Sequence, residues 1–272
     1  QAVEEEGKEA QDCRKNLMLY PHVHVPYNRI DEFLPFINAN KINLEIFISS
    51  DSLDSIDGAD LLRLKEKLDY NPSLTIHAPY MDLSPAAIDS KVRDVTVERF
   101  ESVFDAAEVL GPRAVVFHSG YEKWKYSLKI DVWLKNSVKM WRRFSQRAED
   151  LGTRIVVENI FEDEPANLRL LMEEMSSEYF GLCFDTGHFN LFSRIPLEEW
   201  LSQVKEYIFE LHLHDNHGSS DAHLAIGDGT FDFDTLFGTL AGRDLICTIE
   251  GHTKEDVIKS LERLKTRLIG PE

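Results

Sequence analysis

The chain has 272 residues, 43% hydrophobic and 29% charged, enough apolar material for a sizeable core and, by length alone, for two domains or one α/β barrel. Lysine and arginine number 30 against 48 aspartates and glutamates, a formal charge of −18 that repels polyanions at long range and argues against a dedicated nucleic-acid binder. No apolar run approaches the roughly 20 residues that span a bilayer, and three cysteines make no disulfide framework, so a reduced, cytoplasmic protein is expected.

Residues 1–15, QAVEEEGKEAQDCRK, are polar without sustained periodicity and read as a flexible acidic tail ahead of a single domain over 16–272. The chain shows no signal peptide; it does not begin with Met, which leaves a processed or trimmed start open. Short apolar runs then alternate with longer amphipathic stretches. The runs are NLMLYPHVHV, INLEIFI, SLTIHAP, RAVVFHSG, RIVVENI, YFGLCFDTG, YIFELHLHDN and DLICTIEG, eight in all, rich in β-branched and aromatic residues as buried parallel strands are.

Between them, residues 88–110 place Val92, Val95, Phe100, Val103 and Ala107 at mostly helical steps, with Gly111 and Pro112 as the stop. Residues 131–150 repeat the pattern with Asp131 as the expected N-cap. Their Trp133 and Trp141, eight residues apart, read as core side chains. Residues 165–175, 197–207 and 254–267 behave likewise, with Pro165 and Pro196 suited to first turns. Cys183 and Cys247 fall in apolar runs and read as buried thiols. Eight β-then-α units without a linker predict a (β/α)8 TIM barrel. An open doubly wound sheet would want a Gly-rich phosphate turn after its first strand, where this chain has HVHVPYN.

The strand ends carry the chemistry. The first offers His22 and His24, the third His77, the fourth His118, the fifth Glu158, the sixth Asp185 with His188 one turn on, and the eighth Glu250. The seventh runs into ELHLHDNHGSSDAH, which supplies His212, His214, His217, Asp221 and His223. In a barrel these ends converge on one face. A lone strand-end histidine is usually structural. Five or more imidazoles and carboxylates around one opening, however, repel and desolvate one another by on the order of several kcal/mol unless a cation compensates. Imidazole with carboxylate and no thiolate suits Zn2+, Mn2+ or Fe2+.

Together HAPY, FHSG, VVEN, CFDTGH, ELHLHDN…DAHLAIGDG and CTIEG resemble the xylose isomerase-like TIM barrels, which include endonuclease IV (AP endonuclease family 2) and many sugar or sugar-phosphate isomerases and epimerases. The resemblance covers roughly residues 16–268. It implies two divisions of the ligands. The epimerase-like branch would hold one divalent ion on Glu158, Asp185, His212 and Glu250, with the two glutamates as catalytic proton-transfer groups. The endonuclease IV-like branch would hold three zinc ions on His77, His118, Glu158, Asp185, His188, His212, Asp221, His223 and Glu250. Between one and three Zn2+ or Mn2+ ions per chain are therefore expected.

Two main chemistries follow. Metal-assisted isomerisation or epimerisation of a sugar or sugar phosphate is the leading expectation, with His22, His24 and HAPY on substrate hydroxyls. Metal-assisted phosphodiester hydrolysis is the alternative, and Tyr80 then stands where the endonuclease IV pattern has a DNA-intruding tyrosine. A metal-bound sugar sensor without catalysis is a third reading. His214 and His217 are expected behind the ligands or against substrate. The loop SGYEKWKYSLK, residues 119–129, interleaves lysines with aromatics and reads as a solvated loop, a sugar-stacking lid or a nucleic-acid loop.

Overall fold

The computed structural model describes residues 20–269, so the expected tail at 1–15 lies outside the described residues. Eight parallel strands close in sequence order into one barrel. They are β1 (Tyr20–Pro26), β2 (Asn43–Phe47), β3 (Leu74–His77), β4 (Ala114–His118), β5 (Arg154–Glu158), β6 (Phe180–Asp185), β7 (Ile208–Leu213) and β8 (Ile246–Ile249). Each falls on one of the eight apolar runs.

The helices are α1 (Ile30–Asn40), α2 (Ser50–Leu53), α3 (Gly58–Lys67), α4 (Ser90–Leu110), α5 (Ile130–Leu151), α6 (Ala166–Met175), α7 (Thr186–Phe192), α8 (Leu197–Val204), α9 (Phe233–Thr239) and α10 (Lys254–Ile269). Gly111 ends α4 in the left-handed region at φ 65°, as its position predicts. Three local expectations change. The apolar stripe of α4 runs through Thr96, Phe100, Val103 and Ala107, whereas Val92 and Val95 are exposed, because packing on the barrel begins a turn later than the pattern implied. Helix α5 opens from Lys129 without a side-chain cap. The turn before it is closed by backbone bonds from Leu128 and Lys129 to Lys123 and Tyr126, so Asp131 falls inside the first turn, where its charge suits the helix dipole. Pro165 and Pro196 stand one residue earlier than expected, at the N-caps of α6 and α8.

Strand alternation sorts the core into two parts. The larger lies between strands and helices and includes the fully buried Trp133, Trp141 and Trp200. The smaller fills the barrel with Ala114, Val116, Val156, Cys183 and Ile246. Residues two further along share the inward face, so Val116 leads to His118, Val156 to Glu158 and Cys183 to Asp185. Small apolar side chains thus form the floor on which the polar layer at the C-terminal mouth stands. Cys183 and Cys247 are buried free thiols. No helix among the described residues is long and apolar enough to cross a membrane.

Candidate metal centre and active site

Parallel pairing brings the inward strand ends level. His118 pairs with Glu158, and Asp185 with His212. Glu158 is the hub. Its Oε2 lies 3.2 Å from His77 Nε2 and 3.3 Å from His118 Nε2. Its Oε1 lies 2.9 Å from His188 Nδ1 and 3.7 Å from His212 Nδ1. His212 Nδ1 also stands 3.7 Å from Asp185 Oδ2 and 3.2 Å from Glu250 Oε1. A third group forms above α7, where Asp221 Oδ2 is 3.5 Å from His188 Nε2 and 3.2 Å from His223 Nε2.

Most of these separations exceed the ~2.7–2.9 Å of a charge-assisted hydrogen bond. Two donors about 2.0–2.1 Å from a tetrahedral ion stand about 3.3–3.4 Å apart, which falls within the 2.9–3.7 Å spread of these separations. His212 Nδ1 is buried without a hydrogen-bond partner, although it faces three carboxylates. An orphaned buried donor or acceptor is costly, and a cation among these carboxylates would satisfy it. The donor chemistry therefore fits a zinc- or manganese-type ion, and the nine residues named for the larger ligand set do meet at one mouth.

The electrostatics agree. Burial favours the neutral acid at Glu158, but His118 and His212 outweigh it and hold the carboxyl well below its usual range. Glu250 is held down likewise, against burial, by His212 and His24. Burial opposes charge on His24, yet Glu250 and then Glu45 lift it to about 10. His212 and His188 are raised well above the ordinary imidazole value, again against burial. His118 goes the other way, because burial outweighs Glu158, so its ring stays neutral as a metal ligand must. The excess of acid draws positive charge inward, as protons or as metal ions.

Loop architecture presents the third group. After β7 the chain turns at Asp215, whose carboxylate accepts N–H bonds from Asn216, Gly227, Gly229 and Phe231. Asp215 also pairs with Leu224 in an isolated antiparallel bridge. This folds Asp221 and His223 back over the mouth. A Cβ at Gly229 would collide with the Asn216 carbonyl oxygen and the Asp215 carboxylate. His223 itself sits at φ 47°, a region costly for a side-chain-bearing residue and typical of functional positions. Asp185 caps α7 by accepting the His188 N–H at 2.6 Å, which fixes His188 beside it.

The remaining expected residues divide. Tyr80 lines the mouth and stacks on His118 at 4.1 Å. His24 lines it too, bound between Glu45 and Glu250. His214 is fully buried beside the donor cluster, 3.1 Å from Asp185 Oδ2 and stacked on His223 at 3.9 Å. Two substrate expectations fail geometrically. His22 shares the face of His24 but sits one layer lower, fully buried and 3.1 Å from Ser73 Oγ. His217 is exposed beside the Gly218 turn and is not among the residues lining the mouth.

Sequence reasoning missed Glu45 and His252. Glu45 is completely buried, with His24 at 3.0 Å and His212 Nε2 at 3.2 Å. A carboxylate in the middle of an apolar strand was the available signal. His252, two residues past Glu250, stacks on His223 at 4.4 Å and lines the mouth. The mouth opens into a cavity of about 800 Å3 walled by Phe47, Phe161 and Phe192 and carrying Arg29 and Lys125.

Residues 43–267 match the family described as xylose isomerase-like TIM barrel. MJ1311, an uncharacterised protein of Methanocaldococcus jannaschii, is 32% identical over 218 residues, 76% of this chain and 73% of the relative. A probable endonuclease 4 of Mycobacterium leprae is 25% identical over 197 residues, 67% of this chain and 75% of the relative. A solved structure described as a D-tagatose 3-epimerase-like protein shares 28% identity at a TM-score of 0.75, covering 92% of this chain and 97% of the other. The TTHB071 protein from Thermus thermophilus, soaked with ZnCl2, shares 26% at a TM-score of 0.78, covering 91% and 97%. Since the family match runs unbroken from β2 to within α10, this chain belongs to the xylose isomerase-like TIM barrel family.

Proposed function

We propose that the protein is a multinuclear metal-dependent phosphoester hydrolase. One observation carries this reading: nine imidazole and carboxylate side chains assemble into three neighbouring donor groups, the first two sharing Glu158 and the third reached from Glu158 through His188. A single-ion epimerase needs four of them and leaves His77, His118, His188, Asp221 and His223 without a task. In the proposed assignment His77, His118 and Glu158 would hold one ion. Glu158, Asp185, His212 and Glu250 would hold a second, and His188, Asp221 and His223 a third.

When bound, such ions supply Lewis acidity toward a phosphoryl oxygen and lower the pKa of water. The chain's own groups do the rest. Glu158 offers its two oxygens to different imidazoles and so can bridge two positions. Lys125 on the cavity wall, its ammonium on the Ser84 hydroxyl rather than on a carboxylate, can balance phosphate charge. Tyr80 locks the His118 ring by stacking, and its hydroxyl, raised by burial, stays protonated and can donate a hydrogen bond. Phe47 gives the wall beside His24, His77 and Tyr80 an apolar face.

A sugar isomerase or epimerase remains the second reading. Glu158 and Glu250 both face His212 Nδ1, so one ion there would have a carboxylate on either side for proton transfer. The likeness to a D-tagatose 3-epimerase-like protein supports it. Zinc content with turnover of bis(p-nitrophenyl) phosphate separates the two. The hydrolase reading expects two or three ions per chain and phosphoester cleavage that falls at least about a hundredfold in Glu158→Gln. One ion per chain, no cleavage, and solvent deuterium entering ketoses at C-1 or C-3 would replace it with the isomerase or epimerase.

A further inference from the structure

Beside the mouth runs a groove of about 360 Å3 whose lining includes Trp124, Phe161, Phe192, Lys123, Asp163 and Arg194. Phe161 and Phe192 also line the mouth, so the groove continues the cavity that holds the donor groups. Its rings are unusually open: Trp124 is 69% and Phe161 51% exposed, and Phe161 meets Phe192 edge to face at 5.1 Å. A single exposed apolar side chain needs no explanation, but a cluster of aromatic rings opening from a polar site marks a binding surface.

The indole is held out rather than left loose. Tyr121 and Tyr126, on either side of it, are buried and stack with each other at 6.1 Å. Lys123 is tied to Asp163 and lies over the Trp124 ring at 5.7 Å. Leu128 N–H closes the turn on the Lys123 carbonyl at 2.8 Å. The loop is therefore anchored on both sides of a solvent-facing ring. That removes much of the ordering cost of using it as a stacking platform.

We infer that this groove binds a planar aromatic ring carried by the substrate, so that the substrate class is a nucleotide-type phosphoester with its phosphate at the donor groups and its base on Trp124 and Phe161. The inference rests on the phosphoester reading. Of the groove's two acids, Asp163 is engaged by Lys123 and Glu122 is exposed at the rim; the rest of the lining is three ring faces and Arg194, which offers flat apolar surface in place of the many hydrogen-bonding side chains that hold sugar hydroxyls. Arg194 is exposed and forms no ion pair among the described residues. It therefore remains available to a second phosphate or to the ring face, since guanidinium stacks on planar systems. With a formal charge of −18 on the chain, the fit is to a mononucleotide or a short single strand rather than to a duplex.

The test uses Trp124 as its own reporter, because Trp133, Trp141 and Trp200 are fully buried. The zinc-loaded protein is titrated with adenosine, adenosine 5′-monophosphate and ribose 5-phosphate while tryptophan emission and binding heat are recorded. Both adenine compounds should quench saturably and ribose 5-phosphate should not. Phe161→Ala should weaken the adenine compounds by roughly 5- to 150-fold, the range set by loss of one stacking partner, and leave ribose 5-phosphate unchanged. Unchanged emission, with adenosine 5′-monophosphate and ribose 5-phosphate bound equally, overturns the groove assignment. Failure of the phosphoester reading looks different: adenosine and its monophosphate would quench equally with or without zinc, so the ring site stands and the phosphate site falls.

Discussion

Glu45 shows how much of a candidate metal site lies outside its proposed ligands. Its oxygens reach His212 Nε2 at 3.2 Å and His24 Nδ1 at 3.0 Å, and Thr75 donates to it from the next strand. A carboxylate on Nε2 keeps the proton there and turns Nδ1 of His212 toward Glu158, Asp185 and Glu250. Such outer carboxylates set ligand tautomer and basicity, and their loss costs about 10- to 100-fold in metal affinity. Glu45→Gln should therefore weaken one zinc step by that factor in a chelator competition. The step assigned to His188, Asp221 and His223 should not move, and equal affinity at every step would refute the role. The clustering of the nine donor side chains was legible because residue type, strand end and the two-residue alternation all agreed. Glu45 was not, since an acid inside INLEIFI looks like an edge residue until the barrel closes around it. His22 and His217 erred for the opposite reason: nearness in sequence to a strand end ignores a layer of about 7 Å along a strand and the direction a loop takes.

At the scale of elements, the eight strands were readable because each is short, apolar and punctuated. The helices were readable where a long amphipathic face repeats, as in α4 and α5. Shorter pieces such as α2, α7 and α9 carry too few turns for a period to show. Helix α1 hides behind an internal Pro35. The loop after β7 has no period at all. Its shape comes from one buried carboxylate, Asp215, gathering four backbone N–H groups, and from Gly229 passing close to Asn216. Gly229 lies outside the left-handed region, so Gly229→Ala tests space rather than backbone strain. The added methyl should force the loop off Asp215, cost about 1–3 kcal/mol in urea unfolding, and lower zinc content by the ion assigned to Asp221 and His223. Full stability with full zinc content would mean that the loop is held by something other than this contact.

At the scale of the whole molecule, folding has collected acids around one opening, and the positive charge that balances them decides how stability depends on pH. Without metal, the balance is protonic. His24, lifted by Glu250 and Glu45 against burial to about 10, and His188 and His212, raised likewise, stabilise the fold fully below the ordinary imidazole value near 6.5. That contribution is lost as pH rises from about 6.5 through about 10. Glu158 and Glu250, held down by their histidines against burial, contribute above about 4.3 and lose it as pH falls through their lowered values. Metal-free protein should therefore be most stable between about pH 4.3 and 6.5 and melt progressively earlier toward pH 9. With zinc the dependence reverses over the upper range, because neutral imidazoles bind metal and protons no longer compete. At free zinc a thousandfold above its dissociation constant, one site adds about 4 kcal/mol, or about 10 °C for a domain of this size. Melting curves at pH 5.5 and 9, in chelator and in zinc, should cross. Because the chain's formal charge of −18 also favours unfolding as pH rises, His24→Gln in chelator isolates the imidazole share and should flatten the loss above pH 6.5. Curves that run parallel in chelator and in zinc would show that the clustered histidines and acids are neither charge-balanced by protons nor replaced by metal.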